Sequence, residues 1–107
     1  MLDGITMTYT YAEMGTVRTT YKAGTISFEW LAGPLQGESG GGFAYRSREV
    51  GEERYFVNWH EPEVPGFVTL YIDFPAGEVH SSLIAAYGSD DEQIHFDSAT
   101  IERVERP

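Results

Sequence analysis

Alternation of apolar and polar side chains dominates the sequence from residue 6 to residue 104. Short stretches rich in Thr, Val, Ile, Phe, Tyr and Trp alternate at every second position, and Gly, Pro, Asp and Asn fall between them. A period of two is typical of β-strands with one buried face, and no stretch keeps a helical period. The pattern predicts eight strands, over residues 6–11, 16–22, 25–31, 43–50, 54–61, 67–73, 78–86 and 93–104.

Turn residues predict that each strand pairs with the next one along the chain. Gly24 can adopt the positive φ of a two-residue hairpin turn, so the second and third strands should pair directly. Residues 75–77 and 88–91 are typical of further hairpins, and residues 62–66 of a slightly longer loop. The Gly-rich segment 33–42 is interpreted either as a plain connection or as a mobile lid.

Eight short antiparallel strands without helices predict an all-β fold. Because closure removes exposed strand edges, an eight-stranded antiparallel up-and-down β-barrel of the calycin or lipocalin-like kind is favoured over a sandwich. The length of 107 residues predicts a single domain over residues 1–107. A barrel of this size holds either packed side chains or one small ligand.

Several strands carry apolar residues on both faces. In the sixth predicted strand, Val68, Leu70 and Ile72 alternate with Phe67 and Tyr71. One face fills the barrel and the other requires a cover, so a homodimer is predicted. The alternative is that the outer residues are scattered surface side chains, which are common in monomers.

Composition narrows the classes of partner and compartment. A formal net charge of -10 repels phosphates, so neither nucleic acid nor a membrane is expected as a partner. The absence of cysteine removes disulfides, thiolate metal sites and cysteine nucleophiles, and it suits a reducing compartment. No leader-like or membrane-spanning run occurs, so a cytoplasmic protein is expected.

The first predicted strand places two tyrosines on one face. Tyr9 and Tyr11 are two positions apart, so their hydroxyls point the same way. If this face is interior, the pair can bind a carboxylate, phenolate or carbonyl of a ligand. The alternative is two core tyrosines with ordinary partners.

Arg18 and Glu29 are predicted to be cross-strand neighbours, by counting back from the turn at Gly24. On the outside they would form a surface ion pair of little energetic value. On the inside they would form a buried pair that is costly to desolvate and therefore suited to ligand binding. The alternation alone leaves both orientations open.

The sequence contains no motif typical of a cofactor-binding or metal site. His60, His80 and His95 lack the spacing of a metal site, and no metal is expected. Phosphate-binding, dinucleotide-binding and nucleophile-elbow motifs are absent from the sequence, so no cofactor is expected.

The chain resembles the MoaF-like domains of the calycin superfamily and, more distantly, the bacterial phenolic acid decarboxylases. The resemblance covers about two thirds of the chain, through the first six strands. Its most specific element is the Trp-x-Glu-Pro pattern. The segments that carry it are Tyr9-Thr10-Tyr11, Thr25-Ile26-Ser27-Phe28, Tyr55-Phe56-Val57-Asn58-Trp59-His60-Glu61-Pro62 and Val68-Thr69-Leu70-Tyr71-Ile72-Asp73-Phe74.

The resemblance implies a cofactor-free eight-stranded barrel that forms dimers, with two tyrosines and an arginine around the substrate and a glutamate as the acid. Tyr9 and Tyr11 match the tyrosines, and Glu52 matches the acid. The arginine position falls on Glu29, whose cross-strand neighbour Arg18 can return a guanidinium, and this match favours an inward Glu29. A carboxylate there argues against phenolic acid decarboxylation, because it repels an anionic substrate.

The leading hypothesis is a binding barrel for a small, neutral or cationic, partly aromatic ligand, with Tyr9, Tyr11, Arg18 and Glu29 as polar contacts. The alternative is a cofactor-independent lyase or isomerase, in which Glu52 or Glu29 acts as general acid or base. A third hypothesis is a barrel whose interior is filled by side chains.

Overall fold

The eight predicted strands form a closed barrel in a computed structural model that describes residues 2–63 and 65–107. Each strand pairs antiparallel with the next, and the first also pairs with the last. This confirms the all-β, eight-stranded up-and-down barrel. The strands are β1 (Thr6–Tyr11), β2 (Gly15–Lys22), β3 (Thr25–Ala32), β4 (Ser39–Gly51), β5 (Arg54–Glu61), β6 (Gly66–Asp73), β7 (Glu78–Ala85) and β8 (Gln93–Glu105).

Strand β4 begins earlier than predicted. Ser39 already pairs with Glu29, so the glycines at 40–42 belong to the strand and not to a long connection. A Cβ at Gly40 would lie 2.8 Å from Cζ of Phe28. Glycine lets the Phe28 ring lie against the backbone here, which is a recognised reason for glycine within a strand.

The hairpin between β2 and β3 has the predicted register. Lys22 pairs with Thr25, and Arg18 pairs with Glu29. Ala23 and Gly24 both have positive φ values, of 52° and 77°. These values are those of the two-residue turn that matches the twist of the strands.

One end of the barrel interior is filled by apolar side chains. Leu2, Met7, Tyr21, Ile26 and Ile72 are fully buried in it. The chain before β1 crosses this end, where the backbone N–H of Gly4 donates to the carbonyl of Tyr21. This packed end anchors the strands and leaves the opposite end to form the site.

Apolar side chains also cover part of the outer surface, on β5 to β8. Phe56 is 51% exposed and pairs with Tyr71 on β6, while Phe96 on β8 is 71% exposed. Phe67 also points outward, on the face of β6 opposite to Val68 and Leu70. Homodimer formation through this face stays a prediction.

The described parts of the chain contain no helix of the length and apolar character needed to cross a bilayer.

Candidate functional site

A cavity of about 190 Å³ lies inside the barrel, opposite the filled end. Its wall is mainly apolar, and its aromatic members are Tyr9, Tyr11, Phe28, Trp30 and Trp59. Concave apolar sites with few polar groups are typical of small-molecule binding. The cavity therefore excludes the reading in which side chains fill the whole interior.

Cross-strand pairing shows which neighbouring residues form the cavity wall. Trp59, Val68, Leu83 and His95 are neighbours in register across β5, β6, β7 and β8 and form one row of the wall. On the other side, Tyr9 on β1 pairs with Val17 on β2. Because side chains alternate between the two faces, these positions all point inward.

The two tyrosines of β1 lie inside the barrel, as the first hypothesis required. Tyr9 is 2% exposed, and its ring meets that of Tyr11 edge-on with 5.5 Å between centroids. Burial raises the pKa of Tyr11 to about 12, an effect that the Ser81 hydroxyl opposes and the Asp97 carboxylate reinforces. Burial also raises the pKa of Tyr9 well above its ordinary value. Both phenols are therefore neutral hydrogen-bond donors at neutral pH.

A buried hydroxyl in the wall lacks a hydrogen-bond partner. Thr19 is 2% exposed and lines the cavity, and its Oγ1 makes no hydrogen bond within residues 2–63 and 65–107. The hydroxyl is enclosed by the wall, next to the phenols of Tyr9 and Tyr21.

Glu61 lies on the cavity wall at the end of β5. Its Oε2 accepts a hydrogen bond of 2.8 Å from the indole Nε1 of Trp59. Sequence reasoning did not select this carboxylate as a site residue. The available signal was the spacing of Trp59 and Glu61, because residues two apart on a strand share a face.

Two further carboxylates approach the same rim of the cavity. Ligand atoms of Glu13, His95 and Asp97 all lie within 4.8 Å of one another, and His95 lines the cavity. The Nε2 atom of His95 is 3.6 Å from Oε2 of Glu13. Barrel closure brings these residues together, so their spacing in the sequence gave no sign of the cluster.

The structure corrects the predicted inward orientation of Glu29 and Arg18. The two side chains form an ion pair of 2.5 Å on the outer surface, where they are 52% and 45% exposed. The physical reason is alternation, because the adjacent Thr19 and Phe28 point into the cavity. The surface alternative that the pattern left open is the one found.

Glu52 also lies away from the cavity. It is exposed in the turn between β4 and β5, at the end of β5 opposite to Glu61. A general acid has to come within hydrogen-bond reach of the group it protonates. Neither Glu52 nor Glu29 lines the cavity, so the structure does not place either predicted catalytic carboxyl beside the tyrosine pair.

The connection between β3 and β4 covers part of the cavity. Leu35 contributes to the wall from this segment. The backbone N–H of Gly37 donates to the carbonyl of Trp30, and the N–H of Trp30 donates to the carbonyl of Glu38. These bonds fold the segment into a turn over the cavity. This is where the interpretation of segment 33–42 as a lid places it.

The family model for MoaF-like proteins matches residues 3–100. The chain belongs to the MoaF-like family. This membership confirms the resemblance inferred from the strand motifs. The curated proteins contain no significant match to the sequence.

A solved structure shares the barrel. The crystal structure described as that of "a putative beta-lactamase from Burkholderia vietnamiensis" is 22% identical in sequence, with a TM-score of 0.83. The match covers 97% of this chain and 95% of that chain. At this identity the likeness shows a common fold.

Proposed function

We propose that this MoaF-like domain binds a small, partly aromatic molecule inside its barrel. The observation that carries the proposal is the interior cavity lined by Tyr9, Tyr11, Trp30 and Trp59. Aromatic walls favour a flat apolar ligand, and a few polar atoms among them orient it.

The volume of the cavity supports a ligand with a single ring. A cavity of about 150 Å³ in another protein is large enough for benzene. The cavity of about 190 Å³ therefore has room for one six-membered ring and a short substituent.

The polar atoms of the wall support a ligand with at least one hydrogen-bonding group. The phenols of Tyr9 and Tyr11 lie on the cavity wall and stay protonated at neutral pH. Each can donate a hydrogen bond to a polar atom of a ligand.

Binding is favoured over the lyase or isomerase alternative by the positions of the predicted acids. Glu29 is paired with Arg18 on the outer surface, and Glu52 lies in an exposed turn. A proton would have to cross the barrel wall from Glu29, and the filled end of the barrel from Glu52.

Tryptophan fluorescence tests the proposal directly, because both tryptophans of the chain line the cavity. Phenethyl alcohol is a suitable first probe, since it combines one ring with one hydroxyl and does not absorb where indole is selectively excited. We expect a saturable change in emission.

The matched variants are Ser81→Leu and Ser82→Leu. Ser81 lines the cavity, whereas the adjacent Ser82 pairs with Thr69 and Phe96 on the other face of β7. We expect Ser81→Leu to weaken binding and Ser82→Leu to leave it unchanged. Equal effects of the two substitutions, or no saturable change in the unaltered protein, would contradict the proposal. Consumption of a hydroxycinnamate, followed by ultraviolet absorbance and lost in Glu52→Gln, would instead establish the lyase alternative.

A further inference from the structure

The charged groups around the cavity are mainly negative. Glu61 is a carboxylate on the wall, and those of Glu13 and Asp97 approach the wall residue His95. The chain has seven Lys and Arg residues, all within the described ranges, and none of them lines the cavity. An anionic ligand would meet carboxylates without a compensating Lys or Arg.

Several of the arginines are held elsewhere by acidic partners. Arg18 pairs with Glu29, Arg54 with Asp73, and Arg106 with Glu53. These pairs lie on the outer surface or at the filled end of the barrel. The negative rim is therefore not neutralised by a nearby guanidinium, and the overall charge of -10 adds to its potential.

The carboxylate of Glu61 is oriented for a second interaction. The indole N–H of Trp59 fixes Oε2 at 2.8 Å, and within residues 2–63 and 65–107 no hydrogen bond to Oε1 is present. A carboxylate held by one donor loses little further conformational freedom when it binds another. Its free oxygen is a site for a charged N–H group.

Aromatic rings elsewhere in the cavity wall favour the same kind of group. The rings of Tyr11 and Trp30 lie 6.0 Å apart between centroids, and Tyr9 lies 5.5 Å from Tyr11. Ring faces attract organic cations through their quadrupole, and a tryptophan face does so most strongly. Carboxylate and aromatic walls together are the chemistry that recognises an alkylammonium.

We infer that the ligand of the cavity is an organic amine, a single aromatic ring with a short side chain that ends in a protonated nitrogen. The ring occupies the apolar cavity and the ammonium meets Glu61 at the rim. This inference rests on the proposed function, because it specifies the charge of the molecule that the cavity binds. It also replaces Glu29 with Glu61 as the source of the preference for a non-anionic ligand.

The test compares three probes that share a ring and differ in the charge of the terminal group. Phenethylamine is cationic, phenethyl alcohol is neutral and phenylacetate is anionic. Dissociation constants are measured by isothermal titration calorimetry and tryptophan fluorescence at low salt and about pH 8, where an alkylammonium is charged and an ordinary imidazole is neutral. We expect the amine to bind about tenfold more tightly than the alcohol, and phenylacetate to bind most weakly.

Two variants with the same change in net charge isolate the contribution of Glu61. In Glu61→Gln the amide oxygen can still accept the hydrogen bond from Trp59, so the wall keeps its geometry. Glu102 is exposed on β8 and supplies the control Glu102→Gln. We expect Glu61→Gln to bring the affinities for amine and alcohol together, and Glu102→Gln to preserve the tenfold difference.

The outcomes separate this inference from the function on which it rests. Equal binding of the alcohol and the amine, or stronger binding of phenylacetate, overturns the amine inference and leaves the binding barrel intact. An amine preference that survives Glu61→Gln also overturns the assignment to Glu61. Binding of none of the three probes contradicts the proposed function itself.

Discussion

The indole Nε1 of Trp59 donates a hydrogen bond of 2.8 Å to Oε2 of Glu61, two residues further along β5. Trp59 is 7% exposed, so its N–H depends on this carboxylate for a partner. The same bond holds Glu61 on the cavity wall. This hydrogen bond therefore satisfies a buried indole N–H and also fixes the position of a negative charge at the rim.

This contact predicts different stabilities for two substitutions of Glu61. Glu61→Gln should change the free energy of unfolding by well under about 1 kcal/mol, because the amide oxygen still accepts the bond. Glu61→Ala should lower it by about 1–3 kcal/mol, because the indole N–H loses its acceptor. Urea unfolding measures both values. Equal stabilities of the two variants would show that the bond contributes nothing.

Buried tyrosines predict a loss of stability at alkaline pH. Burial raises the pKa of Tyr9, Tyr11 and Tyr21, and that of Tyr11 reaches about 12. Between about pH 10 and pH 12 the unfolded chain releases a proton that folded Tyr11 retains, so this stabilisation is complete below pH 10 and falls as pH rises. The expected slope is about 1.4 kcal/mol per pH unit for each such tyrosine.

Chemical denaturation at a series of pH values measures this slope, and tyrosinate absorbance follows the ionisation. Tyr11→Phe is the matched variant, since it removes the ionisable group and keeps the ring. Its stability should fall less steeply above about pH 10 than that of the unaltered protein. Identical slopes would mean that Tyr11 ionises equally well in the folded and unfolded chains.

A glycine contact at the rim predicts a strongly destabilising substitution. Gly15 has a φ of 94°, and a Cβ there would lie 2.2 Å from the carbonyl oxygen of Ala32. Gly15→Ala should lower the free energy of unfolding by about 3 kcal/mol or more, because backbone strain and a backbone clash add. Gly24→Ala is the control, since its φ is also positive but no atom lies within 4 Å of the added Cβ. A loss in Gly24→Ala as large as that in Gly15→Ala would contradict this account of the rim.

The exposed apolar face of β5 to β8 predicts a homodimer. Phe96 is 71% exposed and Ile94 is 62% exposed, which is unusual for side chains of this size. Arg46 and Arg48 border the face on β4, and the loop 90–92 beyond β7 is acidic, so a two-fold axis can bring opposite charges together. A second copy of the chain is therefore the expected occupant.

Sedimentation equilibrium tests the dimer with two substitutions to glutamate. Phe96→Glu should yield monomers, because a charge on the face would have to be desolvated. Ala44→Glu, at an exposed position of β4 outside that face, should leave the dimer intact. A monomeric unaltered protein would refute the prediction, and so would a dimer that tolerates Phe96→Glu.

The strand pattern was sufficient to predict the barrel, because alternation and turn residues are local signals. The register of Arg18 with Glu29 followed from one turn, and it is confirmed. The orientation of that pair was predicted from the family resemblance and was wrong. The apolar face of β3, formed by Ile26, Phe28 and Trp30, points inward, and Thr19 and Phe28 line the cavity.

The carboxylates at the rim of the site could not be predicted from the sequence, for a different reason. Glu13 and Asp97 meet only because β8 closes onto β1, and no local pattern records that contact. Glu52 was selected from the family resemblance, which matches positions along the chain and does not establish that a turn residue reaches the cavity. Tyr9 and Tyr11 share the inward face because of alternation within a single strand, which the sequence does record.

Methyl nuclear magnetic resonance with phenethylamine tests the central claim most directly, since it shows where on the barrel a ligand binds. The methyl groups of Met14, Leu35 and Leu83 line the cavity, whereas that of Ile94 lies on the outer face. The account predicts saturable shifts of the three cavity methyls and an unchanged Ile94 signal. Shifts confined to Ile94 and the outer face, or no shifts at saturating probe, would contradict it.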